Sequence, residues 1–337
     1  LELPLLLAVE TSCDDTSMAV MRGASVLAQI VSSQLTHDFG GIVPELVSRS
    51  HQRYIVPVLR EVLAKAGVSG GDLNLIAATR GPGLVGSIMV GLNFAKGLAA
   101  GYGIPLIGVN HIEAHLLAVF IEHPELEFPF IALIVSGGHT LLVEAQSLGR
   151  YHILGETRDD AAGECFDKVA RWLGLLSPES QMGGPVIERL SRSGRADAFD
   201  FPRPMLRSED YMFSFSGLKT AVMTAFKNQP ETFIRQHLPD ICASFQDAVT
   251  EVLAAKTMRA ALAGGYRTVV LAGGVAANAA LRRRLTEQTQ THGCTLIVPA
   301  PEYCTDNAAM VGIAGWLHFR NKIPSDSELF PNPSLRL

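Results

Sequence analysis

Charge is scarce in this 337-residue chain. Asp, Glu, Lys and Arg supply only 18% of it, and the formal net charge is −5. A slightly acidic balance excludes holding nucleic acid by bulk attraction, so an RNA substrate would need a local basic patch or a basic partner. Cysteine is sparse as well: residues 13, 165, 242, 294 and 304 are odd in number and form no Cys-x-x-Cys pair. That pattern fits a reduced, cytoplasmic setting better than a disulfide framework. Long apolar runs are missing. The most apolar stretch, Leu84–Ala100, is glycine-rich and broken by Ser87, Asn93 and Lys96, which makes it too polar and slightly short to span a lipid bilayer. The opening Leu1-Glu2-Leu3-Pro4 has no basic segment or cleavage signature and reads as strand, not signal peptide. What the chain has in quantity is apolar residue, 47% with a mean hydropathy of +0.22. A compact protein with large buried or subunit-covered surfaces follows, with room for two domains.

The stretch organising the rest is Val109–Leu116. His111 and His115 are four residues apart, so on a helix both imidazoles share one face and can grip one ion. Before it, Leu5–Glu10, Met18–Met21 and Ser25–Val31 read as strands. A helix then runs from Gly41 to Ala66 through Pro57, followed by strand Leu73–Thr79, helix Leu84–Ala100 and strand Pro105–Val109. After it the order repeats. Phe130–Ser136, Thr140–Gln146 and Tyr151–Gly155 are strands, and Gly163–Leu173 is a helix. A long helical region, Phe233–Ala263, is expected to break at Pro239. Strand Thr268–Ala272, helix Ala276–Thr289, strand Thr295–Pro299 and a helix over Asp306–Phe319 complete the copy.

Two copies joined at the histidine helix describe an α/β, two-lobed actin-like or sugar-kinase-like (ASKHA) fold, with duplicated mixed-sheet lobes and a nucleotide cleft between them. The expected domains are 1–110, completed by a C-terminal helix and tail over about 306–337, and 111–305, with an irregular insertion over about 176–220 that shapes an active-site mouth. The tail from Pro324 onward is polar and should drape over the surface.

Two glycine-rich or small-residue turns sit at matching places in the halves. Ile134-Val135-Ser136-Gly137-Gly138-His139-Thr140 lets backbone approach a phosphate and present N–H groups to it, and Glu10-Thr11-Ser12-Cys13-Asp14-Asp15-Thr16 is its counterpart. Gly273-Gly274 clears space where a flat purine would lie, and the Asn278 amide is suited to base or ribose edges. Asp167, near the Gly183-Gly184-Pro185 turn, and Glu188 can take ribose hydroxyls, whereas Asp159 and Asp160 read as a solvated acidic face. Asp306 supplies a hard ligand; two histidines and a carboxylate suit iron or zinc. Cys304 beside it is the weaker candidate.

Taken together, Glu10-Thr11-Ser12-Cys13-Asp14, His111-x-x-x-His115, Val135–Thr140, Phe213-Ser214-Phe215-Ser216-Gly217-Leu218-Lys219-Thr220, Ala272–Asn278 and Cys304-Thr305-Asp306-Asn307 resemble the TsaD family. These motifs run in order along nearly the whole chain. The resemblance implies an acyltransferase that moves threonylcarbamoyl from threonylcarbamoyl-AMP to N6 of adenosine 37 in tRNAs reading ANN codons. It implies that His111, His115 and Asp306 hold one iron ion per subunit, zinc being the other metal these ligands fit. It puts Ile134, Val135, Ser136, Gly137, Gly138, Asp167, Gly184, Glu188 and Asn278 around the adenylate. It also implies, for a bacterial chain, an inactive TsaB-like paralogue and a TsaE-like ATPase as partners, and no membrane. One departure is a longer approach to the Gly-Gly-Pro turn, Ser177-Pro178-Glu179-Ser180-Gln181-Met182. No residue is identifiable as the general base for the N6 proton.

Two other readings compete. A zinc endopeptidase acting on glycoproteins would use the same histidines, but its His-Glu-x-x-His pattern needs Glu directly after the first His. Here that position is Ile112, and Glu113 is turned roughly 100° further round the helix. An ATPase or sugar kinase of the same fold would hold Mg²⁺ through carboxylates and water rather than two histidines. For partners, the helices Gly41–Ala66 and Leu84–Ala100 offer apolar and small residues for a packed helix pair. Arg49, Arg53 and Arg60, or Arg282, Arg283 and Arg284, are candidates for tRNA phosphates, the second group being favoured.

Overall fold

A computed structural model describes residues 3–33, 43–177, 182–323 and 329–337. The chain divides into two compact units, Leu1–Leu126 with Pro299–Leu337, and Glu127–Val298. The breaks expected after 110 and 305 therefore shift: the histidine helix and residues 299–305 belong to the first unit.

The first unit is built on a five-stranded sheet of β1 (Leu5–Glu10), β2 (Asp15–Arg22), β3 (Ser25–Ser33), β4 (Leu75–Gly81) and β5 (Leu106–Asn110), in the order β3-β2-β1-β4-β5. β2 pairs antiparallel with β1 and β3, while β4 is parallel to β1 and β5. β1 is apolar up to its closing Glu10 because both its faces are covered. Leu5, Leu7 and Val9 join Ile55, Val58, Val62, Leu92, Ala95 and Ala99 of helices α1 (Pro44–Ala66) and α2 (Val85–Tyr102) in one core. On the other face Leu6 and Ala8 meet α10 (Ala308–Arg320), where Gly312 packs so closely on Met21 that a side chain would collide with its sulfur. Each such fully buried leucine contributes about 1.5–3 kcal/mol. The short helix α3 (His111–Leu117) follows β5 without a loop. The described part of the expected helix over 41–66 starts at Pro44; residues 41 and 42 lie outside the described ones.

The second unit repeats the plan. β6 (Phe130–Val135), β7 (Thr140–Ser147) and β8 (Arg150–Glu156) form an antiparallel meander, and β9 (Thr268–Ala272) and β10 (Thr295–Ile297) add in parallel, giving β10-β9-β6-β7-β8. The strand order is the same in both units. Together the two mixed sheets form the α/β, actin-like and sugar-kinase-like class of fold. Helices α4 (Ala162–Trp172), α5 (Gly183–Ser191), α6 (Ser216–Phe226), α7 (Glu231–Ala263) and α8 (Ala279–Thr291) complete the unit, and the one-turn helix α9 (Pro301–Cys304) precedes α10 in the first.

Two expectations need correction here. α7 continues through Pro239 instead of breaking, with Pro239 near its N-terminal end. The insertion over 176–220 is not wholly irregular, since it contains α5 and the start of α6. Nine residues opening on Gly-Gly-Pro are too few to show a helical period. Its loop over 203–213 is pinned to α7 by Lys256, only 1% exposed, whose ammonium donates to Ser208 Oγ (2.8 Å), Asp210 O (3.1 Å) and Met212 O (2.7 Å). A buried cation is tolerated only with such complete pairing. No helix among the described residues is long and apolar enough to cross a membrane, and all five cysteines are free thiols.

Candidate active site

β5 ends at Asn110, and Asn110 starts α3. Its Oδ1 accepts from the N–H groups of Ile112 (2.8 Å) and Glu113 (3.3 Å), the capping role short amides fill well. His111 and His115 then stand one turn apart, both buried, with ring centroids 4.8 Å apart and edge to face. The third donor arrives from nearly 200 positions along the chain. Asn307, not Asp306, caps α10, its Oδ1 accepting from Met310 N–H at 3.0 Å. Asp306 faces α3, with Oδ1 3.1 Å from His115 Nε2 and 3.6 Å from His111 Nε2. Donor atoms of the three residues lie within 4.8 Å of one another. Two nitrogens and an oxygen so spaced fit the shell of one cation, whose bonds would be about 2.0–2.2 Å. Cys304 is not part of the set; its Sγ turns to the carbonyls of Pro299 and Ala300.

A second layer fixes the first. Glu10 closes an otherwise apolar strand and is 1% exposed. Its Oε2 accepts from His111 Nδ1 at 3.0 Å and from Thr79 Oγ1 at 2.6 Å, and its Oε1 accepts from Ser12 N–H at 2.5 Å. Because a carboxylate only accepts, Nδ1 carries the proton and Nε2 is left facing Asp306. Burial pushes the His111 imidazole down, but the Glu10 and Asp306 carboxylates outweigh it and hold it up to about 9. A cation taken at Nε2 therefore displaces a proton. Burial raises Glu10, yet His111 beside it brings the carboxyl below its usual range. Glu113 points elsewhere: its Oε1 meets His318 Nε2 of α10 at 2.9 Å.

The turn over Glu10–Asp14 thus differs from its expected counterpart. Its Ser12 N–H is spent on Glu10, and Ser12 Oγ lies 3.1 Å from His111 Nδ1. It braces the histidine and is not an open anion nest. In the second unit, by contrast, Gly137 and Gly138 have open space beside them. Ile134 and Val135 are buried on β6 ahead of that turn, and Ser136 Oγ accepts from His139 N–H at 3.1 Å.

The remaining candidates of the second unit gather round this turn in part. Gly163 at the start of α4 packs on the Ser136 carbonyl, and Gly273, at a φ of +86°, packs on that of Val135, so neither could carry a side chain. Asp167 on α4 accepts from Gly183 N–H at 2.6 Å, which draws the Gly183–Gly184 start of α5 to it. Burial, the largest influence, lifts the Asp167 carboxyl above its usual range. Glu188 lines a cavity of about 620 Å³ with Gln246, Asp247, Arg283 and Arg284. Asn278 departs from expectation: its Oδ1 caps α8 through Leu281 N–H (3.0 Å), and its Nδ2 donates to Gln246 Oε1 (2.8 Å). Much of its amide is structural. Residues 178–181 of the lengthened approach to Gly184 lie outside the described residues.

Asp159 is exposed and Asp160 half-buried, but both carboxylates are engaged by the protein instead of being left to solvent. Asp159 accepts from Ser214 Oγ, Phe215 N–H and both N–H and Oγ of Ser216, which fastens the Phe213–Lys219 motif at the start of α6. Asp160 bridges Lys168 (2.7 Å) and Lys219 (2.8 Å). Two adjacent acids with lysines at i+8 and far downstream were the available signal. Of the arginines proposed for RNA, Arg282 donates to the Ala276 carbonyl and Arg284 is paired with Asp247 and near Glu251. Arg49 pairs with Glu45 on the exposed face of α1.

Comparison with known proteins shows the family. Residues 25–313 match the family model described as TsaD, tRNA N6-adenosine threonylcarbamoyltransferase. A protein of that name from Geotalea daltonii is 48% identical over 328 residues, covering 96% of this chain and 95% of its own. One from Clostridioides difficile is 47% identical, covering 99% and 98%. Among solved structures, HypF of T. kodakarensis superposes with a TM-score of 0.63 at 16% identity, over 95% of this chain and 49% of that longer one, a likeness of fold alone. By its motifs and its full-length similarity, this chain belongs to the tRNA N6-adenosine threonylcarbamoyltransferase family.

Proposed function

We propose that this chain transfers the threonylcarbamoyl group from threonylcarbamoyl-AMP to N6 of adenosine 37 in tRNAs reading ANN codons. The observation that carries the choice is the pairing of the histidine–aspartate set with a Glu113 committed to His318. A metallopeptidase needs that glutamate beside the metal-bound water, so the competing hydrolytic reading loses its base.

The adenine N6 amine is a weak nucleophile because its lone pair is delocalised into the ring, so the acyl carbon must be activated and AMP made to leave easily. An iron ion held by His111, His115 and Asp306, with zinc as the alternative, would supply Lewis-acid neutralisation of the acyl-phosphate oxygens. Glu10 keeps the His111 ring turned with Nε2 outward. The backbone N–H groups of Gly137 and Gly138 would face phosphate oxygens, the Ser136 N–H being held by the His139 carbonyl at 2.8 Å, and Asp167 and Glu188 would take ribose hydroxyls. No side chain is assigned as base for the N6 proton.

For partners, Leu46, Tyr54 and Val56 on α1 and Val85 and Met89 on α2 are large apolar side chains at the surface. This face would receive the helix pair of an inactive TsaB-like paralogue, a TsaE-like ATPase completing the assembly in the cytoplasm. The deciding experiment is mass spectrometry of tRNA nucleosides after incubation with the adenylate-forming enzyme, tRNA and these partners. Appearance of threonylcarbamoyladenosine is expected; its absence, together with metal-dependent cleavage of a glycoprotein lost in His111→Ala, would overturn the proposal.

A further inference from the structure

Residues 329–337 lie against the ends of β4 and β5 in the first unit. Leu329 packs on the apolar core and occupies the space beside Gly108. The Phe330 ring lies 5.2 Å from Lys96 Nζ. Asn332 N–H donates to Arg80 O at 2.7 Å, and Gly83 N–H donates to Pro333 O at 3.2 Å. Gly81, at a φ of +149°, has no room for a side chain because the Asn332 carbonyl fills it. This segment is fastened at several points.

Its last recorded hold is on the candidate metal helix. Asn110 Nδ2 donates to Arg336 O at 2.8 Å, while Oδ1 of the same amide caps α3. A carboxamide is planar, so an acceptor at one end selects the orientation that points the oxygen at the helix. α3 has only seven residues, too few to be stable by itself, so its first turn depends on that cap. A second line reaches the same ring. Leu84 N–H, next to the Arg80–Gly83 turn, donates to Ser12 O at 2.8 Å, and Ser12 Oγ lies 3.1 Å from His111 Nδ1.

We infer that the C-terminal segment, acting through Asn110, is a positioning element for His111 and His115. The inference rests on the reading of those residues as cation ligands. Asn110→Ser keeps a good neutral cap and shortens the side chain so that it no longer reaches Arg336. A chain ending at Pro333 removes the acceptor while keeping the clamp at Asn332. Co²⁺ titration, followed by its visible absorption, is read beside hydrogen exchange of the Ile112 and Glu113 amides in the metal-free protein. Each variant should bind Co²⁺ about 3- to 10-fold more weakly, less than the loss of a direct outer-shell partner, and exchange those amides faster. The combined variant should be no worse than the shortened chain alone, which already lacks the Asn110–Arg336 bond along with the Ser334 and Leu335 N–H bonds to Asn332. Wild-type affinity and exchange in both variants, or losses that multiply, would overturn the inference. If the wild type binds no Co²⁺, the cation reading fails, and faster exchange in the variants alone still supports the strap. Asn110→Ser carries the test if the shortened chain does not fold.

Discussion

Glu113 Oε1 and His318 Nε2 are 2.9 Å apart, with side chains only 7% and 14% exposed. The contact ties the helix bearing two candidate ligands, His111 and His115, to the helix that begins just after the third, Asp306. Glu113→Ala leaves His318 without this acceptor and should cost about 1–3 kcal/mol of stability, seen by denaturant titration. Threonylcarbamoyl transfer per folded molecule should stay near wild type. A hundredfold loss of transfer at unchanged stability would make Glu113 a participant in the chemistry.

Glu10→Gln keeps the shape of the side chain but not its charge. The His111 ring loses its fixed orientation, and the affinity for iron or zinc should fall about 10- to 100-fold. Chelator competition at constant pH measures it; an unchanged affinity would mean that Ser12, whose Oγ lies 3.1 Å from His111 Nδ1, holds the ring without the charge of the carboxylate.

His115→Ala and Asp306→Ala each remove a donor from a set of three. One ion per chain in the wild type and none in either variant is the expected result of elemental analysis on protein purified without oxygen. Near-native circular dichroism should accompany the loss. Fully active, metal-free wild type would dispose of the Lewis-acid argument.

Acid should loosen the Phe213–Lys219 motif. Burial alone would raise Asp159, but the donors at Ser214, Phe215 and Ser216 override it and bring its carboxyl down to about 2, against 3.8 unperturbed. A depressed folded value means stability is complete above pH 3.8 and is lost as pH falls towards 2. Because the residue is exposed, the amount is roughly 1 kcal/mol after solvent screening. Asp159→Ala should abolish this part of the acid dependence in unfolding curves taken between pH 5 and 2.

The three arginines of α8 should separate. Arg284→Gln breaks the pairing with Asp247 and should lower stability. Arg283→Gln should leave stability unchanged, weaken tRNA binding, and reduce its salt slope by about one unit. Unaltered tRNA affinity and slope in Arg283→Gln would remove α8 from the RNA surface.

The duplicated plan was readable because apolar runs and glycine turns recur in order, and the candidate ligands because His111 and His115 keep a helical spacing. Glu10 was visible as a residue but not in its role. A lone acid ending a wholly buried strand signals a hidden partner, yet nothing local says that the partner is His111, about a hundred positions away. Asn278 and Asn307 show the converse difficulty. Each begins a helix, and a capping amide and a ligand-binding amide look alike in sequence. That Asn307 takes the cap while Asp306 does not is decided by backbone geometry at one turn.

The first unit is assembled from both ends of the polypeptide, with α10 covering one face of a sheet made from residues 5–110. On the ribosome, then, the contiguous stretch 127–298 can close while the earlier-made sheet still waits for its covering helix, reversing the usual order in which domains fold during synthesis. Arrested chains in which residue 298 has just cleared the exit tunnel should resist protease over the second unit and be cut within the first. The candidate metal set comes together late in this sequence, because Asp306 is made nearly 200 residues after the two histidines.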